Sequence, residues 1–186
     1  NVGGIYKYLG KGGKALEYHK QALKLMQELV AKEPQRIDFQ RNLSMFYNNV
    51  GGIYKEQGED GKALDYYEQA LKLRQELVAK EPQRTDFQRE LSVSFDNVGD
   101  IIYKDRGESG KALEHYEQAL KLMQELVARE PQRTDFQREL SVSFDNVGGI
   151  YKYLGKGGKA LEYYEQALKV MQELVAKNPQ CSDFQR

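Results

Sequence analysis

The sequence predicts an all-α fold, a right-handed superhelical solenoid of antiparallel helix pairs. The first observation is a unit of about 48 residues that is written nearly four times, since the segment that starts at Asn1 returns in closely similar form at Asn49, Asn97 and Asn146. Repeats of about 20 to 50 residues are typical of solenoids, in which each unit buries its apolar face against its neighbours. The other observations are apolar residues at helical spacing in every unit and the lack of strand-like alternation.

The first helix of a unit is clearest in the third copy, where apolar residues follow one another at steps of four and three. Such steps place side chains on one face of an α-helix. Thr85 and Gln88 have the spacing of a capping box, which predicts a helix that begins near Asp86. The apolar residues are Phe87, Leu91, Phe95, Val98 and Ile102.

A second helix follows a short turn, and a proline marks its end. Gly107 and Gly110 bracket the turn in the third copy. The residue before Pro131 avoids the α region, so the second helix should stop near Arg129. Applied to all copies, these signals predict helices over 1–9, 12–32, 38–57, 61–80, 86–106, 110–129, 135–154 and 158–177.

The third copy is one residue longer than the others. The copies start 48, 48 and 49 residues apart, and the simplest extra residue is Ile102. A helix can accommodate one more residue as a π-bulge or by a looser last turn. Of these we expect the π-bulge.

The composition excludes several classes of function. The 28 basic residues equal the 28 acidic ones, so no general affinity for nucleic acid or an anionic membrane is expected. No apolar run approaches the roughly 20 residues of a membrane span. Cys181 is the only cysteine, which excludes an internal disulfide and favours a cytoplasmic protein. No catalytic, cofactor or metal residues are predicted: His19 and His115 replace tyrosines of other copies, and the stretch 10–14 lacks the spacing of a phosphate-binding loop.

Small and aromatic residues recur at fixed places in each unit. In the second copy they are Tyr47, Val50, Gly51, Tyr54, Ala63, Tyr67 and Ala70. This pattern resembles the tetratricopeptide repeat, a helix pair in which small residues allow close approach and aromatic residues fill the gaps. The proline that usually follows the second helix is delayed to Pro82, which resembles the longer repeats of kinesin light chains and their bacterial relatives.

The resemblance covers essentially the whole chain and implies one solenoid domain over residues 1–186. Its units span about 1–36, 37–84, 85–133 and 134–181, and residues 182–186 begin a further helix. Both ends fall within a repeat, so we expect apolar ends and head-to-tail association of molecules. The residues expected at these ends are Val2, Ile5, Tyr6, Val170, Leu174 and Phe184.

One asparagine per unit stands at the same place on the first helix. In tetratricopeptide proteins the first helices line a concave groove, and the resemblance implies that these amides contact the backbone of an extended ligand. A second interpretation is that they bond to the neighbouring helix and set the packing of the repeats. The candidate groove residues are Asn49, Asn97, Asn146, Asn48, Asp96, Asp145, Asp100, Lys55 and Lys152.

The leading hypothesis is a non-enzymatic scaffold that binds a peptide or partner protein in the groove. A clamp for a terminal carboxylate, as in chaperone-binding members of the family, is not predicted, because Met45, Val93 and Val142 stand where such a clamp has basic residues. One alternative is a sensor or regulatory segment of a larger bacterial signalling protein. Another is a consensus or designed array without a natural ligand, which the near-identity of the units suggests.

Overall fold

Seven α-helices make up the part of the chain that the structure describes. The structure is a computed structural model that describes Ile5 and residues 12–106 and 108–177. The predicted helix over 1–9 therefore lies almost wholly outside the described residues. The helices are α1 (Gly12–Lys32), α2 (Ile37–Glu56), α3 (Asp60–Lys80), α4 (Thr85–Arg106), α5 (Ser109–Arg129), α6 (Thr134–Tyr153) and α7 (Gly157–Lys177).

The helices form a stack in which the main contacts of each one are with the helix before it and the helix after it. The pairs α2–α3, α4–α5 and α6–α7 correspond to the second, third and fourth copies of the unit. Equivalent small apolar residues are fully buried in each pair, as Val50, Val98 and Val147 show. The described residues contain no strand. The predicted all-α solenoid of antiparallel helix pairs is thus confirmed.

Glycine and alanine allow the two helices of a pair to approach closely. A Cβ atom added to Gly51 would lie 2.8 Å from Cδ1 of Tyr67 and 3.2 Å from the carbonyl oxygen of Ala63. Gly99 and Gly148 meet tyrosine rings of their own pairs in the same way. A methyl group at Gly51 would therefore force the tyrosine or the backbone to move.

The predicted capping box is wrong, because the helix begins at Thr85 itself and the glutamine has another partner. Gln88 Nε2 donates to the carbonyl oxygen of Pro82 at 2.9 Å, and Gln40 and Gln137 make the same bond in their copies. In the loop, Arg84 forms two hydrogen bonds to the Asp86 carboxylate at 2.8 and 2.7 Å. These contacts fix the turn that precedes the helix without a side-chain cap.

The predicted π-bulge is also wrong. Helix α4 is α-helical throughout its 22 residues, whereas α2 and α6 have 20. Ile102 is buried at the place that Tyr54 and Tyr151 hold in the other copies, and Tyr103 falls at the next place. The extra residue thus lengthens the end of the helix, which breaks no internal hydrogen bond, whereas a bulge would disturb the ladder.

The apolar residues of α7 that face outward differ in part from those predicted. Leu161 and Leu168 are each 58% exposed, although their counterparts in α3, Leu64 and Leu71, are buried. Leu174 is fully buried, so its predicted place at an exposed end is wrong. Ile5 is exposed, whereas Val2, Tyr6 and Phe184 lie outside the described residues. Head-to-tail association stays a prediction. No helix of the described chain combines the length and apolar character needed to cross a membrane.

Candidate functional site

Helices α2, α4 and α6 present one continuous surface, which we call the first-helix face. Met45, Val93 and Val142 stand at equivalent places on these helices and are 44%, 36% and 50% exposed. One helical turn further on lies the polar row that contains all the predicted asparagines. The face therefore carries an apolar row with one member per repeat beside a polar row with two adjacent members per repeat, an asparagine preceded by an asparagine or an aspartate.

The asparagines connect neighbouring repeats. Asn97 Nδ2 donates to Asn48 Oδ1 at 2.8 Å, and Asn146 Nδ2 donates to Asp96 Oδ1 at 3.1 Å. Both side chains are partly exposed, and Asn49 is exposed. Within 12–106 and 108–177 the Oδ1 atoms of Asn97 and Asn146 accept no hydrogen bond. The packing interpretation thus accounts for the donor side of these amides, and the acceptor side remains open to a ligand.

Asp100 is held by two partners from different helices. Lys55 Nζ lies 2.7 Å from its Oδ2, and the Tyr116 hydroxyl donates to its Oδ1 at 2.6 Å. Burial, followed by the hydrogen bond to Asp100, raises the pKa of Tyr116. Of the other predicted charges, Lys152 and Asp145 are exposed. The structure therefore brings Lys55 and Asp100 together as an ion pair.

Arginine–glutamate pairs join the first helices of successive repeats, and the sequence analysis missed them. Arg41 Nη2 lies 2.6 Å from Glu90 Oε1 across the α2–α4 junction. Arg89 and Glu139 form the same pair across the α4–α6 junction. The signal that could have revealed them is an arginine followed 49 or 50 residues later by a glutamate.

A cleft of about 390 Å³ opens between α4 and α6 on the first-helix face. Its lining includes Met123 of α5 together with Ser92, Asp96 and Ser143. Burial raises the pKa of Asp96 to about 7; the hydrogen bond from Asn146 opposes this rise, and the nearby charges of Asp100 and Glu139 add to it. In the described part of the chain no ion pair involves Asp96. The sequence analysis had placed Asp96 on the face but had not foreseen that its side chain is half-buried.

Comparison with known proteins identifies the family. The family profile described as "Tetratricopeptide repeat" matches residues 44–82 and 141–179. The chain thus contains tetratricopeptide repeats. It is similar to the crystal structure of BtubC (BKLC) from P. vanneervenii, with a TM-score of 0.69 and 22% identity over 93% of this chain and 61% of that one. It is also similar to the apo form of RapI, with a TM-score of 0.70 and 17% identity over 92% of this chain and 41% of that one.

These two similarities concern the fold alone. The chain spans about three fifths of the length of BtubC and about two fifths of that of RapI. A search of curated proteins gives no match. In the described residues of this tetratricopeptide-repeat protein, no group of three histidine, cysteine, aspartate or glutamate side chains has an arrangement suited to a metal ion.

The preceding junction of the tetratricopeptide array has a buried arginine where the cleft has Met123. Arg74 of α3 is only 4% exposed. Its Nη1 donates to the carbonyl oxygen of Glu90 and to Ser94 Oγ, each at 2.8 Å, and its Nε lies 3.4 Å from Ser44 Oγ. The α2–α4 junction is thus occupied by a side chain of the protein itself.

Proposed function

We propose that this tetratricopeptide-repeat protein is an interaction scaffold that binds an extended peptide segment of a partner protein across α2, α4 and α6. The observation that carries the proposal is the exposed apolar row of Met45, Val93 and Val142, which runs beside a row of amides. Exposed apolar residues that form a contiguous patch are typical of binding surfaces.

The spacing of the rows suits an extended chain. Packed helices lie about 8 to 10 Å apart, and about three residues of extended chain cover that distance at roughly 3.3 Å each. A peptide laid across the helices can thus place one apolar side chain against each member of the apolar row. The open acceptors of Asn97 and Asn146, and the exposed Asn49, can bond to its backbone.

The test is a selection of peptides from a displayed random library on the immobilised protein, followed by affinity measurements with variants. The double variant Val93→Asp, Val142→Asp should bind a selected peptide about tenfold or more weakly, because the apolar row is lost at two places. The control is Leu25→Asp on α1, an apolar residue outside α2, α4 and α6 that is more exposed than Val93 and Val142. The control should bind the peptide normally.

Asparagine variants separate ligand contact from packing. Asn49→Ala should lower the affinity for the peptide without a change in the stability of the protein, because the Asn49 side chain is exposed. Asn97→Ala should also lower the free energy of unfolding by roughly 1 kcal/mol, because it removes the hydrogen bond to Asn48. The proposal is wrong if no peptide is selected, or if every selected peptide binds the double aspartate variant as tightly as the original protein.

A further inference from the structure

The α2–α4 and α4–α6 junctions are similar in sequence, and two of the charge differences between them concern the residues of the cleft. The first difference is Arg74, whose counterpart in α5 is Met123. The second is Asn48, whose counterpart in α4 is Asp96. The first junction therefore holds a buried cation and a neutral amide, and the second holds a carboxylate without that cation.

The groups that receive the Arg74 guanidinium are repeated at the second junction. Ser44 and Ser94 correspond to Ser92 and Ser143, which both line the cleft. Ser92 Oγ donates to the carbonyl oxygen of Arg89 at 2.8 Å, as Ser44 Oγ does to that of Arg41 at 2.7 Å, and it also lies 3.3 Å from Met123 Sδ. Ser143 Oγ donates to the carbonyl oxygen of Glu139 at 3.2 Å. Both hydroxyl oxygens keep lone pairs that can accept from a guanidinium.

The charges around the cleft leave its carboxylate without a counter-ion. Arg89 pairs with Glu139, and Asp135 pairs with Arg133 in the preceding loop. Arg138, the remaining cation of the lining, is exposed. Asp96 accepts a single hydrogen bond, from Asn146. A carboxylate that is largely withdrawn from water is costly unless a cation or several donors approach it.

We propose that the cleft between α4 and α6 receives the guanidinium of an arginine side chain carried by the bound partner, as Arg74 fills the same place at the preceding junction. This inference rests on the proposed function, because the arginine arrives on a peptide that lies across the first-helix face. A guanidinium offers five donors in one plane, which suits a carboxylate, two hydroxyls and a carbonyl better than a compact ammonium does. The exposed side chains of Val93 and Val142 line the cleft and can flank the arginine stem.

The direct test uses small probes and NMR titration of the protein. N-acetyl-arginine amide should bind saturably and shift the signals of Ser92, Ser143 and Asn146, whereas the neutral isostere N-acetyl-citrulline amide should not. Asp96→Asn should lower the affinity for the arginine probe by about tenfold or more, because a charge-assisted hydrogen bond loses the charge of its acceptor. Met123→Arg should abolish binding, because the new side chain occupies the cleft.

A further variant should create a second arginine site at the α2–α4 junction. Arg74→Met combined with Asn48→Asp removes the arginine of the first junction and adds the carboxylate of the second, with Met45 at the place of Val93. The number of arginine probes bound should therefore rise from one to two. If this variant does not fold, Asp96→Asn and Met123→Arg still test the proposal. Both should fold, since the neighbouring junction already has an asparagine and an arginine at these places.

The outcomes distinguish this inference from the proposed function. No saturable binding of the arginine probe, or equal binding to the original protein and to Met123→Arg, overturns the inference. If selected peptides need the apolar row but lack arginine and tolerate Met123→Arg, the scaffold function stands and the cleft assignment fails. If the arginine probe binds the cleft and no peptide binds the face, the cleft does accept a guanidinium, but the scaffold function fails and with it the delivery of the arginine by a bound peptide.

Discussion

Asp96 and Asn48 hold the same place in successive repeats, and they differ only in whether a carboxylate or an amide meets the next asparagine. Each accepts one hydrogen bond from that asparagine. The amide does so without a charge, whereas the carboxylate must be withdrawn from water. We therefore expect Asp96 to lower the stability of the free protein relative to an amide at the same place.

The first prediction is that Asp96→Asn stabilises the free protein at pH 8. Burial raises the pKa of Asp96 from 3.8 to about 7, so the folded state binds the proton more tightly than the unfolded state. Protonated Asp96 therefore favours the folded state relative to ionised Asp96. This stabilisation is fully present below about pH 4 and is lost as the pH rises through about 7. The variant should gain about 1 to 3 kcal/mol at pH 8 and much less at pH 4.

Urea unfolding at pH 4, 6 and 8 measures this difference. The matched control is Asp145→Asn at the equivalent place in α6, where the carboxylate is exposed, and its effect should be smaller. A constant difference between Asp96→Asn and the original protein across the three pH values would show that Asp96 does not titrate in this range.

The second prediction compares two adjacent glycines of α2. Gly51→Ala should destabilise the protein by about 1 to 3 kcal/mol, because the added methyl group collides with the Tyr67 ring and the Ala63 carbonyl. Gly52→Ala should be neutral or stabilising by up to about 1 kcal/mol, because its nearest neighbour is the Tyr67 hydroxyl at an ordinary 3.6 Å and alanine favours helix. Thermal unfolding of both variants gives the result, and equal effects would contradict it.

At the scale of the helices, local signals were enough to predict most boundaries. The predicted α2 spans 38–57 and the observed helix is Ile37–Glu56; the other described helices agree equally well. The prolines and glycines that stop these helices act within a few residues, so the sequence displays them directly. The capping box failed because Gln88 reaches Pro82, an equally local acceptor that spacing alone did not favour.

The candidate site was less predictable, because its contacts join residues about 50 positions apart. The asparagines could be placed on one face from their spacing. Whether an amide meets water, a ligand or Asp96 of the preceding repeat depends on how the first helices of two successive repeats are placed relative to each other. The same holds for the cleft, whose lining comes from α4, α5 and α6. A repeat pattern thus predicts the face, and only the packing shows which places on it are filled.

The third prediction concerns the extra residue of α4. Deletion of Ile102 should leave a continuous helix and move Tyr103 into the buried place of Tyr54 and Tyr151. In the second and fourth copies that tyrosine stacks on a second tyrosine at 5.5 Å, but the third copy has His115 there. Combined with His115→Tyr, the deletion should show a favourable coupling of about 0.5 to 1.5 kcal/mol. A double-mutant cycle from urea unfolding measures this coupling, and an additive result would contradict the predicted stacking.

At the scale of the whole molecule, contacts run mainly between helices that are neighbours in sequence. Within the described residues the buried apolar side chains form a core that runs along the stack, and each helix meets mainly its two neighbours in it. The stability of such an array is approximately a sum of terms for each repeat and each junction. A local defect should therefore weaken the repeats around it and leave distant repeats folded, unlike a defect in a globular domain.

The fourth prediction tests this with Leu77→Ala in α3, where the side chain is 1% exposed. The cavity should cost about 2 to 5 kcal/mol, and because α3 packs on α2 and α4, the loss should appear in those helices. Hydrogen exchange should become much faster in α2, α3 and α4 and stay nearly unchanged in α6 and α7. Leu126→Ala is the matched variant, since Leu126 holds the same place in α5 and is equally buried. It should instead accelerate exchange in α4, α5 and α6. If either variant accelerates exchange uniformly along the chain, the helices unfold as one cooperative unit and the nearest-neighbour description is wrong.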